Sequence, residues 1–227
     1  LDKHPDLLPD LRSFLLNSLL GIRMRIIGWT LYSPLKKAAM NVKATQWKIL
    51  KSIIDQNSST EFGLRHDFKN ISDVQSFREK LPVFDYESLR ADVERQGNDK
   101  IKVLTNDHPI MYNQTSGTTG QPKYIPVLNL TLDHLRRSQK IFSYIQYKDC
   151  KEAFFGRIVG MVSPAIDGVL ANGIPFGSAS GHIYKTMPKV ARAKYLLPQE
   201  VFTLEDYGLK YQVIARLCFE ADDITYL

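Results

Sequence analysis

Nine consecutive residues, 115–123, carry the clearest chemical pattern in the chain, with the sequence Thr-Ser-Gly-Thr-Thr-Gly-Gln-Pro-Lys. Two glycines let backbone N–H groups approach a ligand closely, four hydroxyls add short polar groups, and the lysine adds a compact charge. Successive N–H groups in such a loop form a concavity suited to phosphate groups. Composition alone favours a flexible polar surface loop, so the order of the residues decides between the two interpretations.

The spacing within this stretch excludes two common phosphate-binding motifs. Gly120 is followed by Gln121 and Pro122, whereas the Walker A motif requires Lys and then Ser or Thr at that point. The chain also lacks a Gly-x-Gly-x-x-Gly segment, so a Rossmann dinucleotide site is not supported.

The order Thr-Ser-Gly-Thr-Thr-Gly-x-Pro-Lys resembles the phosphate-binding signature of the adenylate-forming superfamily. Tyr-Ile-Pro follows at 124–126, where the acyl-CoA ligases of that superfamily usually have Gly. Thr-Glu-Phe-Gly stands upstream at 60–63, and Gly-Ile-Pro-Phe-Gly-Ser-Ala-Ser-Gly stands downstream at 173–181. Over residues 44–227 this set resembles the auxin-responsive Gretchen Hagen family of acyl acid–amido synthetases, in a bacterial-looking form.

The resemblance implies a two-step reaction that uses ATP and Mg²⁺. A small carboxylic acid is activated as an acyl-adenylate, and an amino acid then displaces AMP to form an amide. The implied fold class is α/β, as part of the large N-terminal domain of an adenylate-forming enzyme. Residues 44–227 would be an incomplete adenylation domain, preceded by an added basic amphipathic helical segment at residues 1–43.

The family's functional residues can be carried over position by position. The implied nucleotide-binding residues are Asn113, Thr115, Ser116, Gly117, Thr118, Thr119, Gly120 and Lys123. Lys123 is the implied catalytic residue and would approach the β- and γ-phosphates. The implied substrate-binding residues are Gly177, Ser178 and Ala179. Asn113 could equally be a turn residue, and His182 could contact substrate or have no specific role.

The magnesium ligands and the ribose-binding aspartate of the superfamily are expected beyond Leu227. No metal ligand is therefore predicted in this chain. Full catalysis by this chain on its own is not predicted either. Ser59-Thr60-Glu61 mimics the superfamily's magnesium-binding segment but precedes the phosphate loop, so it is interpreted as local turn chemistry. The alternative functions are an acyl-CoA or other adenylate-forming ligase, and a non-catalytic nucleotide- or membrane-binding fragment.

Periodicity, caps and breakers predict helices alternating with apolar strands, which is typical of α/β proteins. The predicted helices cover residues 11–32, 44–56, 72–81, 85–96, 131–146 and 206–219. The predicted strands cover 100–104, 110–112, 154–162 and 224–227, and residues 163–188 are predicted to be loop-rich.

The net charge of +6 belongs to the N-terminal segment, because residues 1–51 hold nine basic and three acidic side chains and the remainder is neutral. A nucleic-acid partner is therefore not predicted. The apolar face of residues 11–32 could pack on the main body or make peripheral contact with an anionic membrane. Two cysteines, 68 positions apart, indicate a reducing, cytoplasmic setting. The oligomeric state and the identity of the substrates are not predicted.

Overall fold

The structure is a computed structural model that describes residues 7–99, 102–115 and 122–226. The chain forms two compact units, each containing helices and short strands, in agreement with the predicted α/β class. The first unit is built from residues 7–35, 134–164 and 180–226. The second is built from residues 36–133 and 165–179, apart from the gaps in the described ranges.

The regular elements are numbered in chain order. The helices are α1 (Leu7–Ile27), α2 (Ser33–Ala39), α3 (Val42–Gln56), α4 (Glu61–Arg65), α5 (Val74–Lys80), α6 (Tyr86–Asp99), α7 (Asn129–Asp149), α8 (Ala179–Lys185), α9 (Lys189–Arg192), α10 (Gln199–Phe202) and α11 (Tyr207–Phe219). The strands are β1 (Met111–Thr115), β2 (Lys123–Val127), β3 (Arg157–Ile158), β4 (Gly168–Val169), β5 (Pro175–Gly177) and β6 (Ile224–Tyr226). A π-helical turn covers Gly28–Tyr32, and 3-10 turns cover Phe68–Asn70 and Lys151–Phe154.

Several helices begin at side-chain caps that satisfy backbone N–H groups without an intrahelical partner. The Asp206 carboxylate accepts a 3.0 Å hydrogen bond from the N–H of Leu209, as expected for the start of α11. The Thr60 hydroxyl accepts one of 2.9 Å from the N–H of Gly63 and caps α4. This confirms the interpretation of residues 59–61 as local turn chemistry.

Two residues predicted to begin or end a helix do not do so. Asp73, and not Ser72, caps α5, because its carboxylate accepts from the N–H of Ser76 while the Ser76 hydroxyl accepts from the N–H of Asp73. Gly97 does not end α6, which continues to Asp99. A Cβ at Gly97 would lie 3.0 Å from the Tyr112 hydroxyl, so this glycine permits close packing inside the helix.

The second unit contains a four-stranded sheet in the order β2-β1-β5-β4. Strand β1 pairs antiparallel with β2 and parallel with β5, and β5 pairs antiparallel with β4. In the first unit β3 and β6 form a parallel pair, with Arg157 opposite Ile224. The strands predicted at 110–112 and 224–227 are confirmed within the described residues, although β1 begins and ends later than predicted.

The other strand predictions are wrong. Residues 102–104 form no strand, and the carbonyls of Lys102 and Val103 instead accept from the N–H groups that begin α4. The apolar run 154–162 contains only the two-residue β3, because its first residue ends a 3-10 turn. The predicted loop 163–188 contains β4, β5 and α8, which are short elements that local periodicity does not reveal.

Each unit has its own apolar core. In the second unit Ile54, Phe68 and Ile71 form one cluster, and Met111, Val127 and Leu132 form another beside the β1–β2 hairpin. In the first unit Tyr184, Leu197 and Phe202 are packed together. Burial of such side chains supplies most of the favourable free energy of folding.

Candidate functional site

Parallel pairing of β1 with β5 brings together two predicted site segments that lie more than 60 residues apart in the sequence. In this register Asn113 is opposite Gly177. Because the strands run in the same direction, their carboxyl ends reach the same edge of the sheet. Ligands of open α/β sheets bind outside this kind of edge. The candidate site therefore consists of the ends of β1 and β5, together with the start of β2.

The predicted phosphate loop connects β1 to β2. Thr115, at the exposed end of β1, pairs with Lys123 at the start of β2, so the two ends of the loop are held side by side. The predicted residues Ser116, Gly117, Thr118, Thr119 and Gly120 lie outside the described residues. Their role in binding phosphate remains a prediction that rests on the sequence and on the hairpin that flanks them.

Two polar atoms on β1 are buried without a hydrogen-bond partner among the described residues. They are the amide oxygen Oδ1 of Asn113 and the hydroxyl of Tyr112. Burial raises the pKa of Tyr112 to about 12, and the nearby Tyr86 adds to the shift. An unpaired buried polar atom costs about 1–3 kcal/mol, so a ligand that supplied a donor to Asn113 would recover stability. Asn113 lies within a strand, which argues against the turn interpretation.

Lys123 stands beside the first turn of α6. Its Nζ lies 5.6 Å from the centre of the Tyr86 ring, within the range of a cation–π contact. The Ser88 hydroxyl and N–H lower the pKa of the Asp85 carboxyl, and the Lys123 charge adds to that shift. Arg90 has the main effect on the Glu87 carboxyl, again with a smaller contribution from Lys123 that lowers its pKa. The Lys123 ammonium group therefore lies near an aromatic ring and interacts with the carboxylates of Asp85 and Glu87.

Tyr86 and Arg90, which were not among the predicted site residues, hold the start of β2. The Tyr86 hydroxyl accepts a 2.8 Å hydrogen bond from the N–H of Tyr124 and lies 3.3 Å from its carbonyl oxygen. The Arg90 guanidinium bonds the Pro122 carbonyl at 3.3 Å, binds both carboxylate oxygens of Glu87 and packs on the Tyr86 ring. The hydrogen bonds to Pro122 and Tyr124 join positions 32 and 38 apart in the sequence, and no local sequence pattern indicates them.

Gly177 is buried at the end of β5 and has no room for a side chain. A Cβ there would lie 2.6 Å from the carbonyl oxygen of Ala165. Ser178 and Ala179, which follow, are half-buried, and Ala179 begins α8. The structure thus places all three predicted substrate-binding residues at the edge where Asn113 and Thr115 also lie, within the second unit.

Other candidates belong to the first unit. A cleft of about 400 Å³ in the first unit is lined by residues between Tyr184 and Glu200 and contains none of the predicted site residues. His182 is half-buried in α8, and burial, with smaller effects from Arg136 and Lys185, lowers its pKa. Within the described ranges, no group of three or more His, Cys, Asp or Glu side chains could hold a metal ion. The described residues therefore contain no all-protein cluster of that kind for Mg²⁺.

Comparison with known proteins connects this arrangement to a family. The family model of the GH3 family N-terminal domain matches residues 32–226. The indole-3-acetic acid-amido synthetase GH3.2 of Arabidopsis thaliana is 31% identical over 113 residues, which cover 49% of this chain and 20% of that protein. The GH3.3 synthetase of the same plant is 25% identical over 182 residues, which cover 76% of this chain and 30% of that protein.

A solved structure of the GH3.15 acyl acid amido synthetase shares the fold, with a TM-score of 0.66 and 23% sequence identity. The match covers 78% of this chain and 32% of that one. The chain thus spans less than a third of the length of each of these relatives. The two curated relatives are plant proteins, and the bacterial-looking character of this sequence stays a prediction. Because the family match covers most of the chain, the chain belongs to the GH3 family, which is the Gretchen Hagen family that its motifs resemble.

Proposed function

We propose that the protein containing this chain activates a small carboxylic acid with ATP and joins it to the amine of an amino acid. The observation that carries the proposal is the register of β1 and β5, which sets Asn113 opposite Gly177 beside the predicted phosphate loop. Family membership supports the same reaction, since the related plant proteins are named as amido synthetases.

The reaction takes place in two displacements. In the first, an oxygen of the substrate carboxylate attacks the α-phosphorus of ATP, and the bond to the leaving pyrophosphate breaks. In the second, the amine nitrogen attacks the acyl carbon, AMP leaves with the bonding electrons, and the nitrogen loses a proton. The nucleophile in each step comes from a substrate, so the protein contributes positioning and charge stabilisation.

The residues of the site suit these tasks. Lys123 would offset negative charge on the triphosphate, and Tyr86 and Arg90 would fix the strand that carries Lys123. The Asn113 amide would orient the nucleotide or the acyl group, and the segment 177–179 would border the acyl pocket. Mg²⁺ would neutralise further phosphate charge, and its ligands would come from outside the described residues. Cys150 and Cys218 are both free thiols, which favours a cytoplasmic setting.

The test uses the full-length protein and ATP–pyrophosphate exchange with a panel of carboxylic acids. Amide product and AMP should appear when amino acids are added as acceptors. A CoA thioester without any amide product would favour an acyl-CoA ligase instead.

The phosphate loop is tested separately through ATP affinity. Ser116→Ala and Gly117→Val should each weaken ATP binding, because the first removes a hydroxyl donor and the second fills the space at the backbone. Ser52→Ala, at an exposed position of α3, is the matched control. Unchanged ATP affinity in both loop variants would refute the assignment of residues 115–120.

Contact of residues 11–32 with a membrane is independent of this catalytic proposal. It depends on the surface of α1 alone.

A further inference from the structure

Helix α1 and the π-helical turn that follows it are apolar on two opposite faces. The inner face is packed within the first unit, where Met24, Ile27 and Gly28 are buried. A Cβ at Gly28 would lie 2.6 Å from the Tyr144 ring of α7, which shows how closely the two segments approach. The inner face therefore already satisfies the need of this helix for a packing partner.

The outer face is exposed, and it is the face that the apolar periodicity of the sequence identifies. Its central residues follow one another at steps of four and three positions, which keeps them in one stripe along a helix. They are each more than half exposed, from 53% for Leu15 to 78% for Trp29. The members of this outer stripe are Leu15, Leu19, Ile22, Ile26 and Trp29.

Basic residues accompany the outer stripe. At about 100° per residue, Arg23 and Arg25 fall about 80° to either side of its centre. Residues 11–54 contain eight Lys or Arg and no Asp or Glu. An apolar stripe between arginines, within a segment free of acidic groups, is complementary to a surface that presents both hydrocarbon and negative charge.

The stripe also precedes the part of the chain that the family model matches, which begins at residue 32. The match to the family model therefore does not account for this surface. Within the part of the chain that the structure describes, no helix is long and apolar enough to cross a membrane.

We propose that the outer stripe of α1 docks the protein onto an anionic lipid surface, lying in the plane of the interface. The aliphatic side chains of the stripe enter the boundary between headgroups and acyl chains, and Trp29 occupies the headgroup level. These aliphatic side chains are Leu15, Leu19, Ile22 and Ile26. Arg23 and Arg25 lie at the margins, where they contact lipid phosphates. Docking leaves the inner face of the helix against the first unit, so no unfolding is needed.

The test is flotation of the full-length protein with vesicles of phosphatidylcholine, alone or mixed with phosphatidylserine. Binding to the anionic vesicles should be about tenfold tighter or more, and added salt should weaken it. Ile22→Gln with Ile26→Gln should lower this binding by about tenfold or more, through the loss of buried apolar area. Arg23→Gln with Arg25→Gln should lower binding to anionic vesicles and leave binding to neutral ones unchanged.

The matched control makes the same kind of exchange at two other strongly exposed apolar residues, Val83→Gln with Phe219→Gln, and should retain full binding. Absence of binding to anionic vesicles at low salt would overturn the proposal, as would equal losses in the control. Self-association that the Ile22 and Ile26 exchanges abolish, without any vesicle binding, would identify a second copy of the chain as the occupant. Thermal melts of every variant should match the parent protein, and a large drop for the isoleucine pair would show that the stripe is packed against protein.

Discussion

Asn113 and Tyr112 are adjacent on β1 and present the same physical problem, a buried polar atom without a described partner. Their environments differ in one respect. The sheet register places Asn113 opposite Gly177, at the predicted site, whereas the Tyr112 hydroxyl lies against Gly97 of α6. We therefore expect Asn113 to contact the ligand and Tyr112 to have a mainly structural role. Single substitutions at the two positions distinguish these roles.

Asn113→Leu should leave the free energy of unfolding unchanged or raise it by about 1 kcal/mol, because it removes a buried amide oxygen without a described partner and keeps a similar volume. ATP–pyrophosphate exchange by the full-length protein should fall by about tenfold or more, since one polar contact to the ligand is lost. Urea unfolding and the exchange assay measure the two effects.

Asn172→Leu is the matched control for this substitution, because the Asn172 amide donates to the Gly97 carbonyl and accepts a 2.9 Å hydrogen bond from the N–H of Ile174. That variant should lose about 1–3 kcal/mol. If Asn113→Leu behaved in the same way and kept full exchange activity, Asn113 would be structural.

Tyr112→Phe should leave the free energy of unfolding at neutral pH unchanged or raise it. It should also reduce the decrease in that free energy as the solution becomes alkaline. The folded-state pKa of Tyr112 is raised from 10.0 to about 12 by burial, so the folded protein keeps a proton that the unfolded chain releases. This contribution to stability is complete below about pH 10 and is lost as the pH rises towards about 12. The phenylalanine variant lacks the group and should lose less stability over this range.

Urea unfolding at about pH 8 and about pH 11 measures this difference. Tyr211→Phe, at an exposed position of α11, is the control. A parallel decline of Tyr112→Phe and the parent protein would contradict the assignment.

At the scale of elements, the sequence predicts helices better than strands. The starts of α4 and α11 follow from Thr60 and Asp206, since a cap and the helix it begins are local in the chain. The four-stranded sheet depends on pairing between Tyr112 and Phe176, and the three residues of β5 carry no periodic pattern of their own. Gly97 also shows that tertiary contacts cannot be predicted from local sequence. In the sequence this glycine resembles a helix stop signal, whereas in the structure it permits the close approach of Tyr112.

In the candidate site, too, local features could be predicted and tertiary contacts could not. The residues flanking the phosphate loop could be predicted because they belong to a motif of consecutive residues. Tyr86 and Arg90 could not be assigned, because their hydrogen bonds to Tyr124 and Pro122 appear only once α6 lies beside β2.

Packing of α1 on α7 makes two glycines of one segment respond in opposite ways to the same substitution. Gly28→Ala would bring a Cβ to 2.6 Å from the Tyr144 ring and should destabilise the protein by about 1–3 kcal/mol. Gly21→Ala would meet only the hydroxyl of Tyr147, at 3.3 Å, where a flexible side chain can move. It should be neutral, or stabilise by up to about 1 kcal/mol through helix propensity.

Thermal or urea unfolding of both variants measures the contrast. Equal effects would mean that α1 is not packed on α7 through this face, and the exposure of the opposite stripe would then need another explanation.

At the scale of the whole molecule, the charge distribution separates a basic N-terminal segment from a neutral part that carries the candidate site. The excess positive charge lies in residues 1–51, whereas residues 52–227 hold equal numbers of basic and acidic groups. The neutral part carries the predicted phosphate loop. Among its described residues no cluster of three or more His, Cys, Asp or Glu side chains could hold a metal ion, and the chain spans less than a third of the length of its relatives. Further parts of such a relative would have to complete an ATP site.

Residues 1–227 expressed alone should therefore bind ATP weakly and catalyse ATP–pyrophosphate exchange at least about 100-fold more slowly than the full-length protein. The physical reason is that charge stabilisation of phosphoryl transfer needs several preorganised groups, and loss of one such group already costs about 100-fold or more in rate. Circular dichroism and urea unfolding establish that the shorter chain is folded before the rates are compared. Exchange by residues 1–227 within about tenfold of the full-length rate would show that the phosphate loop and its neighbours suffice for activation. In that case, carrying Asn113→Leu in both proteins should lower the two rates by the same factor.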